Sequence, residues 1–295
     1  MKLYLPKRIK HSAPVAALAR SYLNARNSRL EKVIFTATTG RSGTQSLQRV
    51  FSAVPGCIAS HEPYPIMHDE WLHAASYGQK DVVRRHYECL KAINIRRAAV
   101  GSRYYVELNH LFLKTFIEYA AKDFGDRMEV IHVVRPAVEV AMSICCRRDW
   151  PGTDNGNRWW LDYRAPTNLI QMSDLLDRHD EFSHPLYKAL WYWYETESRV
   201  RLWRDKLPRI RFHRFETQWI NDRARIFALM DDLKIKCDRD LLSTAVGVKE
   251  DTKAQRAKSQ TLSREQVLSQ ETARKMDERF REVLADRNLL PSAVP

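Results

Sequence analysis

Lys32-Val33-Ile34-Phe35-Thr36-Ala37-Thr38-Thr39-Gly40-Arg41-Ser42-Gly43-Thr44-Gln45-Ser46 is the stretch that decides the fold. Its opening carries the apolar run Val33-Ile34-Phe35, β-branched and aromatic, which predicts a short buried strand over Lys32 to Ala37. Thr38 to Thr44 is a turn rich in glycine and hydroxyls. Beyond it Leu47, Val50, Phe51 and Val54 recur at i, i+3, i+4 and i+7, an amphipathic helix that Pro55-Gly56 stops. The unit is therefore strand, glycine turn, helix.

The pattern recurs downstream. Glu129 to Val134 predicts a second buried strand. Pro136 suits the first turn of a helix, on which Val138, Ala141, Met142 and Cys145 repeat at helical spacing. A third strand is expected at Arg209 to Phe215, with a helix near Arg223 to Leu233. Further helices are expected at 70–94, 108–124, 185–206 and 264–285, the last with Ser263 and Gln266 as a capping box. Strands alternating with helices predict an α/β fold, a parallel β-sheet flanked by helices on both faces. Residues 147–168 are rich in Gly, Pro and Asn and read as a long surface loop. Trp150, Trp159 and Trp160 in that loop are candidates to cover an acceptor. Trp191 to Tyr194, on a helix, read as core. No linker, repeat or low-complexity tract interrupts the chain. The expected organisation is a basic N-terminal arm, 1–30, and a single domain, 31–295.

Composition sets the class. The chain has 295 residues, 44% apolar and 29% charged, which suits a soluble globular protein able to bury a full core. No apolar run approaches the roughly 18 residues of a membrane span. The run Ala13 to Ala19 contains Pro14 and is too short and alanine-rich for the apolar core of a signal peptide. Lys and Arg number 49 against 36 Asp and Glu, a balance of +13, and seven of the bases precede Glu31 with no acid among them. Such an arm is either a solvated extension or a surface that attracts polyanions such as nucleic acid, anionic lipid or an anionic substrate. The five cysteines are odd in number and show no CxxC spacing, so neither a disulfide framework nor a zinc site is expected. A reducing, cytoplasmic setting fits them.

The glycine turn has its own chemistry. Gly40 and Gly43 free the backbone so that successive N–H groups can point inward. The following helix adds its unpaired N–H groups and positive dipole end, and together these form a cradle for phosphate or sulfate. Thr39, Gly40, Arg41, Ser42, Gly43, Thr44, Gln45 and Ser46 are the candidate binding residues, Arg41 contributing a fixed charge with a bidentate fork. The same turn would also serve simply to connect strand to helix. The dinucleotide fingerprint GxGxxG is absent, and Gly43 runs directly into Thr44 without the Lys of a Walker A loop. An NTPase also needs an acid at a neighbouring strand end to hold Mg²⁺. The strand 130–134 ends instead in Arg135, which argues for a second anion site with Ser143, eight residues on and about two helical turns away. No metal ligand set is expected.

Arg41-Ser42-Gly43-Thr44 after one strand, with Arg135 and Ser143 after a later one, resembles the sulfotransferases that use 3′-phosphoadenosine 5′-phosphosulfate (PAPS). Tyr105 to His110, Leu190 to Glu195 and Arg211 to Glu216 also resemble recurrent stretches of bacterial members, so the likeness covers roughly 32–285. It implies a P-loop-like sulfotransferase fold. It also implies that the first loop grips the 5′-phosphosulfate and the Arg135/Ser143 pair the 3′-phosphate, leaving 3′-phosphoadenosine 5′-phosphate (PAP). The RKG signature of the cytosolic small-molecule branch is missing; Lys253, Arg256 and Lys258 are the substitutes in view for the 3′-phosphate. Carbohydrate sulfotransferases resemble this chain in placing Glu-Pro soon after the loop, here His61-Glu62-Pro63. In the related tyrosylprotein enzymes a Glu at a similar remove is the base. The resemblance thus implies Glu62 as base and Arg41 as stabiliser of the leaving oxygen, with His61 and then His110 as the next candidate bases. The acceptor implied is a hydroxyl on a sugar or glycoconjugate, without obligatory metal and without a specific nucleic-acid partner. Two other classes stay open, a P-loop kinase or NTPase and a basic nucleic-acid-binding protein without catalysis.

Overall fold

The computed structural model describes residues 12–178, 180–247 and 268–290. The basic segment at the start is in part a helix, α1 (Ala13–Arg26). From there the chain runs β1 (Lys32–Ala37), α2 (Thr44–Ser52), β2 (Cys57–His61), α3 (Glu70–Ser76), α4 (Lys80–His86), a π-helical turn at Tyr87–Lys91, α5 (Ala92–Ala98) and β3 (Tyr104–Leu108). Next come α6 (Phe112–Thr115), α7 (Ile117–Phe124), β4 (Met128–Val134), α8 (Ala137–Cys145), α9 (Asp154–Trp159), α10 (Ser173–Leu176) and α11 (Pro185–Lys206). The chain closes with β5 (Arg211–Glu216), α12 (Arg223–Asp232), α13 (Arg239–Ala245) and α14 (Gln270–Asp286).

The five strands are parallel, in the order β2-β3-β1-β4-β5. Both faces are covered, as the strand pattern predicts. Alternation sends Val33 and Phe35 to one face and Ile34 to the other. On the first face Phe35 stacks on Phe112 of α6 at 4.5 Å and meets Phe116 edge-on at 5.7 Å, in a core shared with α7, α8 and α11. On the second, Ile34, Val106 and Ile131 pack against Leu47, Val50 and Phe51 of α2 and Ile226, Leu229 and Met230 of α12. Each such side chain contributes about 1.5–3 kcal/mol by leaving water. Trp191 to Tyr194 of α11 are buried, as expected of core.

Two expectations need correction. Residues 147–168 are not a surface loop. Thr153 caps α9 by accepting from the Gly156 N–H (3.0 Å), and Trp160, Leu161, Tyr163 and Ala165 are buried. Gly, Pro and Asn here punctuate a folded-in segment. The single helix expected over 70–94 is broken between Ser76 and Lys80, where Gly78 takes φ +75°. β2 and β3 are strands that the periodicity does not announce; β3 lies inside the sheet with every residue buried, so no polar alternation marks it. Ser263 and Gln266 lie outside the described residues, as do Lys253, Arg256 and Lys258. α14 is instead capped by Ser269, whose Oγ accepts from the Thr272 N–H at 3.1 Å.

The winding fixes where a site can form. From β1 the chain goes to β2 and β3 on one side and then crosses to β4 and β5 on the other. The loops leaving the carboxyl ends of β1 and its neighbours therefore diverge and open a crevice. The glycine turn stands at that point.

Candidate functional site

The turn after β1 is built by its glycines. Gly40 (φ +83°), Arg41 (φ +55°) and Gly43 (φ +78°) are left-handed, and a Cβ on Gly43 would stand 2.4 Å from Ile220 Cδ1. Its carbonyls are tied back into the protein. Tyr192 Oη donates to the Thr39 carbonyl (2.6 Å), Thr217 Oγ1 to those of Ser42 (3.0 Å) and Val134 (3.1 Å), and Arg135 Nη1 to that of Arg41 (2.8 Å). Lys114 Nζ, buried beneath the turn, donates to Tyr192 Oη and to the His110 carbonyl (2.9 Å), with the Thr38 carbonyl at 3.5 Å. With the carbonyls so engaged, the backbone N–H groups of Arg41, Ser42, Gly43, Thr44 and Gln45 donate to no protein acceptor among the described residues. Five such donors, at the turn and at the first residues of α2, are left available to a bound acceptor such as an anion.

The side chains of the turn divide by role. Ser42 and Thr38 hydrogen-bond each other (2.6 Å) and Thr39 Oγ1 donates to the Gly40 carbonyl (2.9 Å), so these hydroxyls brace the turn from inside. Thr44 Oγ1 and His61 Nε2 are hydrogen-bonded at 3.0 Å, joining α2 to the end of β2. Gln45 is exposed and Ser46 half-buried on the first turn of α2. Arg41 Nε donates to Ser143 Oγ (3.1 Å), while Arg135 Nε reaches Glu139 Oε2 (2.9 Å). Arg41 thus meets Arg135 and Ser143, which lie about a hundred residues further along the chain, at one edge of the turn. Burial, and then the charge of Arg147, lower the Arg41 pKa. Arg147 Nε lies 3.5 Å from Asp149, a buried carboxyl that desolvation pushes up against the pull of Arg147 and Arg41. A cluster of cations beside free N–H groups is a field built for a multiply charged anion.

On the opposite edge stands Glu62, just past β2. Its backbone is left-handed (φ +46°), a conformation uncommon outside glycine, and its N–H donates to the Leu108 carbonyl at 3.2 Å. Lys91 Nζ, paired with the buried Glu107 at 2.7 Å, donates to the Pro63 carbonyl (3.0 Å) and fixes the same bend. His110 Nδ1 donates to Glu62 Oε1 at 2.7 Å, since an ionised carboxylate only accepts. Burial would raise the Glu62 pKa, but the His110 hydrogen bond and the charges of His110, His61 and Lys114 outweigh it and hold it below the ordinary value. For His110 burial dominates, aided by Lys114, and lowers its pKa against the pull of Glu62. His110 Nε2 faces the Trp159 carbonyl at 3.1 Å. A proton added there finds an acceptor waiting.

Beyond Glu62 the wall is made by two segments locked together. Arg158 donates to Asp69 through Nε (2.7 Å) and Nη2 (3.2 Å), and the Asp69 N–H donates to the Arg158 carbonyl at 2.9 Å. Trp159 lies against His68 with ring centroids 4.6 Å apart, and Tyr64 is 74% exposed at the rim. Trp160 turns inward instead and packs beside Gly40.

Sequence reasoning names the cradle, Glu62, His61, Arg41, Arg135 and Ser143. It misses Lys114, Tyr192 and Thr217, which set the turn from behind. A lysine four residues after His110 on a helix reads as a surface charge, and Tyr192 as core. Only their long-range contacts reveal the role. Asp149 is missed for the same reason.

No family model matches the chain, and no curated protein matches it. Among solved structures, a sulfotransferase domain from the curacin biosynthetic pathway is similar over 88% of this chain and 99% of that domain, at 14% identity and a TM-score of 0.45.

Proposed function

We propose that the protein transfers a sulfuryl group from PAPS to the hydroxyl of a sugar or glycoconjugate. The observation that carries this reading is the cradle of five N–H groups free among the described residues, with Arg41, Arg135 and Ser143 on one edge and an ionised, half-buried carboxylate, Glu62, on the other. In it the N–H groups and Arg41 hold the phosphosulfate, and Arg135 with Ser143 takes the 3′-phosphate. Glu62 Oε1 is committed to His110, which leaves Oε2 to take the acceptor proton. The acceptor oxygen then bonds to sulfur as the bond from sulfur to the bridging oxygen breaks, and PAP departs with that electron pair. Arg41 and the dipole end of α2 offset the charge that develops on the leaving oxygen. These groups supply the positive field without a metal ion. At the end of β4 stands Arg135, where a triphosphate enzyme places a metal-binding acid, so phosphoryl transfer is the less favoured reading.

Thermal-shift titration tests the donor. PAP stabilises the folded state by mass action, and AMP, lacking the 3′-phosphate, does so far less. Arg135→Ala erases most of that preference. Equal stabilisation by PAP and AMP overturns the 3′-phosphate assignment, and a strict Mg²⁺ requirement for turnover moves the reading to a kinase-like enzyme.

A further inference from the structure

Helix α1 carries apolar side chains on both of its sides. One side is used by the fold: Ala16 and Leu23 are buried, with Ala19 beside them, against Cys89 of the π-helical turn and Ile93 of α5. The other side has no cover among the described residues. Pro14, Ala17, Leu18, Ser21, Tyr22 and Ala25 are exposed, and at about 100° per residue they fall on one stripe without a charge. Leu18 is 72% exposed and Tyr22 62%, neighbours one turn apart.

The charges around that stripe have one sign. Arg20 and Arg26 flank it and Arg29 follows. Among the described residues none of the three forms an ion pair, Arg26 donating instead to Tyr22 Oη at 3.2 Å. The first acid, Glu31, is held by Arg103 (2.7 Å). The sequence before α1 adds Lys2, Lys7, Arg8 and Lys10 and no acid.

We propose that α1 docks the protein peripherally on an anionic lipid bilayer, with Leu18 and Tyr22 entering the boundary between headgroups and acyl chains and the arginines meeting lipid phosphates. An uncharged stripe flanked by arginines is the pattern of a helix lying in that plane. At 14 residues α1 is about 21 Å long, too short to cross. A duplex nucleic acid would use the arginines but leaves the exposed Leu18 without a purpose. A second copy packed on the same stripe would bring the like-charged flanks together across a two-fold axis. Attachment through one short helix is weak and reversible.

The test is cosedimentation of the full chain with vesicles of phosphatidylcholine alone or with about a third phosphatidylglycerol. Binding is expected only to the anionic vesicles, and to be lost as salt rises toward about 0.5 M. Leu18→Ser/Tyr22→Ser keeps the melting temperature, since both side chains are exposed, and binds these vesicles at least about tenfold more weakly. No binding to anionic vesicles overturns the proposal, as does equal binding by the double variant. Salt-sensitive binding to duplex DNA without vesicle binding also overturns it. So does a dimer in light scattering that the double variant breaks. None of these readouts depends on catalysis.

Discussion

Glu62 is held in place by its own backbone bend, by the Pro63 carbonyl bonded to Lys91, and by His110 at Oε1. On the proposed reaction, Glu62→Gln keeps the shape and removes the basicity. Turnover then falls about 10²–10⁴-fold, or about 3–5 kcal/mol of barrier, while PAP affinity measured by calorimetry stays near normal. Retention of more than about a tenth of the rate excludes Glu62 as the base and turns attention to His61 and His110. The pH profile carries a second prediction. The Glu62 pKa is depressed, so its base form is lost only as pH falls below the ordinary carboxylate range. The acid limb of kcat/KM should therefore lie low. His110→Ala removes the hydrogen bond that depresses it and leaves burial to act, so the limb moves to higher pH. A limb that stays in place in a folded His110→Ala protein shows that the pair is not coupled.

At the scale of elements, the turn between β1 and α2 depends on what lies behind it. Gly43→Ala must take a left-handed conformation and push Ile220 aside, at a cost of about 1–3 kcal/mol, which lowers Tm by several degrees in a melting curve. An unchanged Tm would mean that α2 re-seats freely. Tyr192→Phe removes the hydroxyl that engages the Thr39 carbonyl and should cost about 1 kcal/mol and several-fold in PAP affinity, with the helix content unchanged in circular dichroism. Much of this element was legible in the chain. The run Val33-Ile34-Phe35, the two glycines and the spacing of Leu47, Val50 and Phe51 give strand, turn and helix where they stand. β4 is equally plain because it is strongly apolar, and the 22-residue α11 because it is long. β2 and β3 were not legible as strands, since a five-residue strand offers too few repeats to show a period. The segment 147–168 misled because its turn residues outweigh its buried aromatics in any local reading. Of the candidate site, the residues with distinctive spacing could be found. Lys114, Tyr192 and Thr217 act across the fold, and local pattern carries no trace of that.

Across the whole molecule, the amino ends of three strands are pinned by one carboxylate. Glu129 of β4 accepts from Lys32 of β1 and from Arg211 (2.5 Å) and His213 (2.6 Å) of β5. Burial would raise its pKa, but the hydrogen bonds from His213, Lys32 and Arg211 hold it at about 2, below the ordinary carboxylate range. A carboxylate depressed in the folded state adds stability above its unfolded pKa and loses it as pH falls toward the folded one. Urea unfolding should thus separate wild type from Glu129→Gln clearly at neutral pH. The gap should narrow between about pH 4.5 and pH 2. A gap independent of pH assigns the loss to packing alone. The strand order has a consequence for how such a protein diversifies. Because β1 sits between β3 and β4, the residues facing Glu62 come from one flank of the sheet and from α9, and the arginine edge comes from the other. The Asp69–Arg158 lock makes the first flank a self-supporting wall. On the proposed reaction, mutational drift in 64–69 and 154–160 can then explore new acceptors while the grip on the donor is inherited unchanged.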